Sequence, residues 1–201
     1  MINLAIRIIL NNLPRLQVRF EELSRLDLYV GVPSDAPERR KDQGSSRVKA
    51  ANGNVSGGTL DTSINNATIA YLNDVGSPAM NIPQRSFMRP GINDSKSFII
   101  RRMERGARDI LNGIPNSTHT TLSVCGFAAQ NAIRKRINNG IPPPLSERTL
   151  KDRIRNRRGA IGAKAELARR AGGGMPDVDL AKPLVNTGQL RNSITFVIKP
   201  K

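Results

Sequence analysis

Ile2, Leu4, Ile6 and Ile8 alternate with mostly polar or small residues, the period of a strand with one buried face. Asn11 or Asn12 then offers a side-chain cap to a helix, and Pro14 falls near its first turn, where a missing N–H costs little. Leu16, Phe20 and Leu23 recur at four and three residues and give that helix one apolar stripe. Leu26, Leu28, Val30 and Val32 alternate again as a second strand, ended by Pro33. From 33 to 62 the apolar period disappears. Arg39, Arg40, Lys41 and a run of Gly, Ser and Asn supply charge and backbone freedom with little to bury, so this stretch reads as a flexible basic loop or arm.

Periodicity returns with a helix over about 64–74, stopped by Gly76 and Ser77-Pro78. The segment 83–90 holds too many prolines for a helix interior or a central strand. It reads as a stiff extended crossing, anchored by Ile82, Phe87 and Met88, with Arg85 and Arg89 projecting. Ile92, Ile99, Met103, Ala107, Ile110 and Leu111 define a long helix over about 92–112, with Arg101, Arg105 and Arg108 on its solvent side. Leu122, Cys125, Ala129, Ile133 and Ile137 define another over about 119–138, closed by Gly140 and Pro142-Pro143-Pro144. Ser146 starts a short third helix with Leu150 and Ile154 four apart. Beyond it, Gly159, Gly162 and Gly172-Gly173-Gly174 make 145–176 read as a basic helix and a Gly-rich second arm.

The chain then closes on Lys182 to Ile198. This run reads as a rigid entry at Pro183, a turn capped by Asn186 or Thr187, one short helical turn and a strand. Ile194, Phe196 and Ile198 lie on one face of that strand and Val197 on the other. A terminal strand this apolar requires a sheet to receive it. The fold expected is therefore one α+β domain over 1–201: an antiparallel or mixed sheet packed against two long helices, with long basic loops or arms and a sheet-closing segment at 183–198.

Charge changes the functional picture more than the fold. A net charge of +16 on 201 residues calls for an acidic counterpart: nucleic acid, a membrane surface or a negatively charged protein. Residues 134–170 alone carry a balance of +9. Five Phe, two Tyr and no Trp argue against a single-strand surface built on stacked bases. No run approaches the roughly 18 apolar residues of a membrane span, and no secretory signal is evident at the N-terminus. Assembly in the cytoplasm and no membrane partner are expected. A low hydrophobic content of 38%, with 17 Gly and 13 Pro, suits a small core whose excursions become ordered on a neighbour.

Residues suited to catalysis are scattered. The only histidine, His119, falls at a helix start. The only cysteine, Cys125, falls on an apolar helical face and is expected to be a buried, inert thiol. One Cys and one His leave no zinc-finger spacing, and Gly57-Gly58 lacks the Gly-Lys-Ser/Thr of a phosphate loop. Neither an enzyme nor a cofactor is expected. The basic segments at 38–49 and 148–170, with Arg39, Arg40, Lys41, Arg85, Arg89, Arg153, Arg155, Arg157 and Arg158, are candidate assembly contacts, since arginine meets carboxylates bidentately. Arg134-Lys135-Arg136 and the run from Arg153 to Arg158 fit the alternative of a non-specific nucleic-acid-binding protein that neutralises phosphates.

Three segments, in order, resemble the head–tail joining, neck and tail-completion proteins of tailed bacteriophages. The C-terminal run is similar to that family's closing pattern, Lys-Pro-Leu-(Ile/Val)-(Asp/Asn)-Thr-Gly-x-Leu-x-x-Ser-Ile, through Pro183, Leu184, Thr187, Gly188, Leu190, Ser193 and Ile194, with Phe196 beyond. Ile69 to Gly76 followed by Pro83, Arg85, Phe87 and Pro90 resembles its helix and Pro-Arg-Phe segment, with Ser86 where a second proline is usual. Pro144-Leu145-Ser146-Glu147-Arg148-Thr149 matches a "PLS-x-x-T" start to a basic helix. The resemblance implies a structural virion protein in a closed ring of six or twelve subunits, in the neck or at the top of the tail. It also implies a portal or connector-side ring, a tail terminator or tail tube protein as neighbours, and double-stranded DNA passing through the lumen.

Overall fold

The strand predicted at Leu26 forms as β1 (Leu26–Gly31) and pairs antiparallel with the terminal strand β2 (Thr195–Pro200). The register sets Leu28 opposite Ile198 and Val30 opposite Phe196 on one face, and Tyr29 opposite Val197 on the other. The computed structural model describes residues 17–19, 21, 24–34 and 65–201. The predicted strand at 2–8, part of the helix after it, the loop from 35 to 62 and Arg39, Arg40 and Lys41 lie outside the described residues. What is described is a mixed α+β fold with a small antiparallel sheet and several packed helices. Where one domain was expected, these residues group into two compact units, each drawing on segments distant in sequence.

The first unit holds the sheet, the described residues before it, and 88–135. Helix α2 spans Met88–Leu111 and helix α3 spans Ser117–Asn138, following α1 (Asn66–Val75) of the second unit. A methyl added at Gly91 would lie 2.7 Å from Ile133 Cα, and one at Gly106 only 2.2 Å from Thr121 Oγ1. Those two crossings, 91 with 133 and 106 with 121, run in opposite chain directions, so α2 and α3 are antiparallel, with α2 contributing no side chain at either crossing. The glycine seam corrects the expected stripe. Gly91, Ser95, Gly106 and Ile110 are the buried face of α2, whereas Ile92 and Met103 are exposed. Arg101, Arg105 and Arg108 face solvent as expected. On α3 the expected face is buried throughout: Leu122, Cys125, Ala129, Ile133 and Ile137.

Helix α3 meets the sheet through Gly126, where a methyl would lie 2.5 Å from the Phe196 ring, and through Phe127, whose ring meets Phe196 edge-on at 4.7 Å. Gln130 and Arg134 both donate to the Ile194 carbonyl, at 3.1 and 2.8 Å, and so fix where β2 begins. Ile194 is fully buried, but Phe196 is only half-buried, because a two-stranded ribbon covers its ring from one side.

The second unit holds 32–34, 65–87 and Arg136–Ser193. Asn65 caps α1 by accepting from the Ala67 N–H at 3.0 Å. Gly76, at φ +85°, ends the helix with its N–H on the Leu72 carbonyl, a conformation that favours glycine. The chain returns extended and is stitched to the end of α1: Arg85 N–H to the Asn73 carbonyl at 2.7 Å, Ser86 Oγ to the Asp74 carbonyl at 2.9 Å, and Phe87 N–H to Asp74 Oδ1 at 2.7 Å. Phe87 is fully buried. The stiff crossing is shorter than predicted, since Met88, Arg89 and Pro90 already form the first turn of α2, where proline is tolerated.

The basic helix expected from Ser146 forms, and the Gly-rich arm expected beyond it, to 176, is instead folded. Helices α4 (Glu147–Arg155) and α5 (Ala160–Ala171) pack on each other around Leu145, Leu150, Ala163 and Ala181, with Ile154 and Leu167 against them. The glycines that suggested mobility, Gly159 and Gly172, terminate helices, and Gly162 allows the Leu180 carbonyl to within 2.1 Å of where a methyl would stand. Glu166 locks the hairpin from a fully buried position, accepting from Arg169, Arg170 and the Asp177 N–H at 2.8–3.0 Å. Desolvation pushes its carboxyl up, but the Asp177 N–H and the two guanidinium groups outweigh it and hold the carboxyl below its ordinary value. The C-terminal run follows, with Leu184 and Leu190 buried and Gly188 at φ +76° leading into α6 (Gln189–Ser193). Thr187 Oγ1 receives the Gln189 N–H at 3.4 Å, and α6 packs on α1.

Candidate functional site

The three segments that carry the resemblance, far apart in sequence, meet in the second unit around one cleft of about 1080 Å³. The end of α1 and the return strand supply Asn73, Gly76, Pro83 and Arg85. The start of α4 supplies Pro144, Ser146, Thr149, Asp152 and Arg153, and the C-terminal run supplies Pro183 and Asn186.

Local chemistry dictates each wall. Ser146 is the N-cap of α4 and accepts the Thr149 N–H at 3.3 Å, while its hydroxyl lies 2.9 Å from Thr149 Oγ1. Ser77 and Ile82 exchange backbone bonds around a single tight turn at Pro78–Met80. Pro78, Pro83, Pro144 and Pro183 give the rim fixed backbone angles.

Two arginines line the cleft from buried positions. Arg85 is 7% exposed and donates through Nε and Nη2 to the Pro143 carbonyl at 3.1 and 2.9 Å. Arg153 is also 7% exposed and donates to three carbonyls: Lys182 at 3.1 Å, Val185 at 3.2 Å and Pro183 at 2.8 Å. Burial pulls both guanidinium groups below their ordinary value, and Arg153 is lowered further by the positive charge of Arg85. Among the described residues no carboxylate forms an ion pair with either. The one carboxylate of the cleft, Asp152, is bonded to Arg155 at 2.8 Å.

The candidate assembly contacts thus separate into different environments. Arg85 was expected to project and Arg153 to make assembly contacts, but both are buried, with backbone carbonyls of distant segments taking their donors. Arg158 lines the cleft wall half-buried. Arg155 and Arg157 are exposed around the end of α4, and Arg89 is exposed in the first turn of α2. Of the motif prolines, Pro83 and Pro183 line the cleft and Pro90 does not. Sequence reasoning passed over Asn73, Asn81, Asn156 and Asn186 as lining residues. It also missed the burial of Arg153, although its spacing of three from Leu150 signalled the same helical face.

Groups suited to catalysis lie elsewhere. His119 is exposed, with Nδ1 3.5 Å from Ser123 Oγ. Cys125 is fully buried, and desolvation raises its thiol while the Arg102 charge opposes that shift. Among the described residues no cluster of His, Cys, Asp or Glu could hold a metal ion, and no helix is long and apolar enough to cross a membrane. What the cleft offers chemically is a rigid, positively charged recess with spare N–H donors. No known protein family, curated protein or solved structure matches the chain.

Proposed function

We propose that this is a structural, non-enzymatic virion protein of a tailed bacteriophage, forming a ring in the neck or at the top of the tail around the DNA channel. The observation that carries this reading is the convergence of all three motif segments on one rigid cleft, which gives their shared occurrence a physical reason. A mixed α+β fold with a small antiparallel sheet and several packed helices is compatible with the subunit the resemblance implies, a sheet against two long helices. Rings suit such a chain, because a contact repeated by rotation lets small units bury surface on their neighbours. The ring's neighbours would be a portal or connector-side ring, a tail terminator or a tail tube.

The test is size-exclusion chromatography with light scattering, together with protein identification in purified particles. A stable ring, or a monomer that is nonetheless found in virions, is the expected outcome. A monomer at every concentration that is also missing from virions would refute the proposal. The second reading, non-specific DNA binding, draws on the +16 charge and the exposed Arg101, Arg105 and Arg108 of α2. It requires duplex affinity that collapses by roughly 10³–10⁵ between about 50 and 200 mM salt for six to ten phosphate contacts.

A further inference from the structure

The buried arginines of the cleft leave more hydrogen-bonding capacity than the protein uses. A guanidinium carries five N–H donors. With two of Arg85 on Pro143 and three of Arg153 on Lys182, Pro183 and Val185, three N–H groups on Arg85 and two on Arg153 have no acceptor among the described residues. Buried cations without a counter-charge are costly, and a pair that repels itself is more so. Here the cost is held in place by carbonyl clamps and proline walls, which is how a site is preorganised for an anion. The first turn of α4 opens on the same recess at Ser146 and Thr149 and adds a favourable dipole.

We propose that this cleft is a binding site for a carboxylate, presented by an acidic segment of another protein, with Arg85 and Arg153 as its receptors. The inference rests on the cleft alone and not on the virion reading. Burial selects the occupant. With only 7% of each arginine exposed, the receptors can be reached by a slender Asp or Glu side chain or a chain end, whereas phosphates fixed along a duplex cannot be lowered into a recess. Exposed Asn81, Asn156 and Asn186 around the walls each offer both a donor and an acceptor, matching the peptide groups of such a segment.

The experiment is calorimetric titration of the full chain with three probes: a blocked peptide alternating Glu and Gly, its Gln–Gly counterpart, and a short DNA duplex. Ionic strength near 0.15 M limits screening to about 8 Å and suppresses diffuse attraction to the net charge. Saturable binding of the Glu peptide and none of the Gln peptide is expected. Since truncating Arg85 or Arg153 could unfold the unit, the decisive variant is Thr149→Glu. It completes a capping box with Ser146, so the fold should hold, and it places a carboxylate on the cleft wall. Binding of the Glu peptide should weaken at least about tenfold with an unchanged melting midpoint. The matched charge change Lys164→Gln, on an exposed position of α5, should leave affinity within about twofold. Equal binding of both peptides, equal weakening by the two variants, or DNA held more tightly than the Glu peptide and displaced by Thr149→Glu would each overturn the proposal.

Discussion

Replacing Arg153 by Met tests whether the cleft is built as described. The substitution keeps an unbranched side chain and removes the fork that clamps Lys182, Pro183 and Val185. The Lys182 carbonyl retains the Val185 N–H at 3.3 Å, which leaves the Pro183 and Val185 carbonyls without that donor. A hydrogen bond from a charged donor contributes roughly 1.5–3 kcal/mol, so losing these two costs about 3–6 kcal/mol. Against it stands the relief of a desolvated cation and of its repulsion with Arg85. A net destabilisation near 3 kcal/mol is expected, which for a chain of this length lowers the melting midpoint by about 6–12 °C. Arg153→Lys keeps the charge but cannot span three carbonyls, and should fall about midway. Arg155→Ser, two residues along, removes only a surface pair with Asp152 at 75% side-chain exposure and should change stability by less than about 0.5 kcal/mol. Urea unfolding followed by circular dichroism measures all three, with the loss confined to one transition should the two units unfold separately. If Arg153→Met unfolds with wild-type stability, or Arg155→Ser is as damaging, the clamp is misplaced.

The helix seam gives a second prediction. Gly106→Ala should cost about 1–2 kcal/mol, since overpacking of about 1–3 kcal/mol outweighs a helix-propensity gain of up to about 1 kcal/mol. Adding Thr121→Ala removes the two nearest clashing atoms, Oγ1 and Cγ2, and a buried hydroxyl with no hydrogen-bond partner among the described residues, but keeps Cβ at 2.7 Å, so the double variant should recover part of the lost stability and not all of it. Additive losses in a double-mutant cycle would refute the crossing. Glu166, held below its ordinary value of 4.5, stabilises the α4–α5 hairpin fully above that pH, and the contribution is lost as pH falls through the lower folded value. Glu166→Gln should flatten that acid limb and cost about 3–5 kcal/mol at neutral pH by leaving Arg170 uncompensated; an unchanged acid limb would count against the assignment. Cys125, fully buried with its thiol raised by desolvation, should resist alkylation in the native chain and react at a free-thiol rate once denatured. Rapid native labelling would show that its helix face is open.

Strands and helix limits were readable because their causes are local. The alternation of Leu26, Leu28 and Val30 and of Ile194, Phe196 and Ile198 marks two strands that pair, and Ser146, Gly76 and Gly140 mark helix ends through bonds to residues within a few positions. The three motif segments were readable too, as separate pieces of chain. Their meeting in one cleft was not, since no residue of one segment encodes its distance from another. The spacing of Arg153 from Leu150 marked its helical face, but nothing local showed what would take its donors. Arg153 and Arg155 are the same residue two positions apart, yet one is buried and the other exposed, because the carbonyls that accept from Arg153 arrive from 182–185. The glycines of α2 tell the same story. An apolar period predicted Ile92 and Met103 inside, but α3 approaches where Gly91 and Gly106 leave no side chain in its way. Local bonding and hydrophobic period are properties of a segment, whereas burial of a charge or a close helix crossing exists only once a second segment has come to rest against the first.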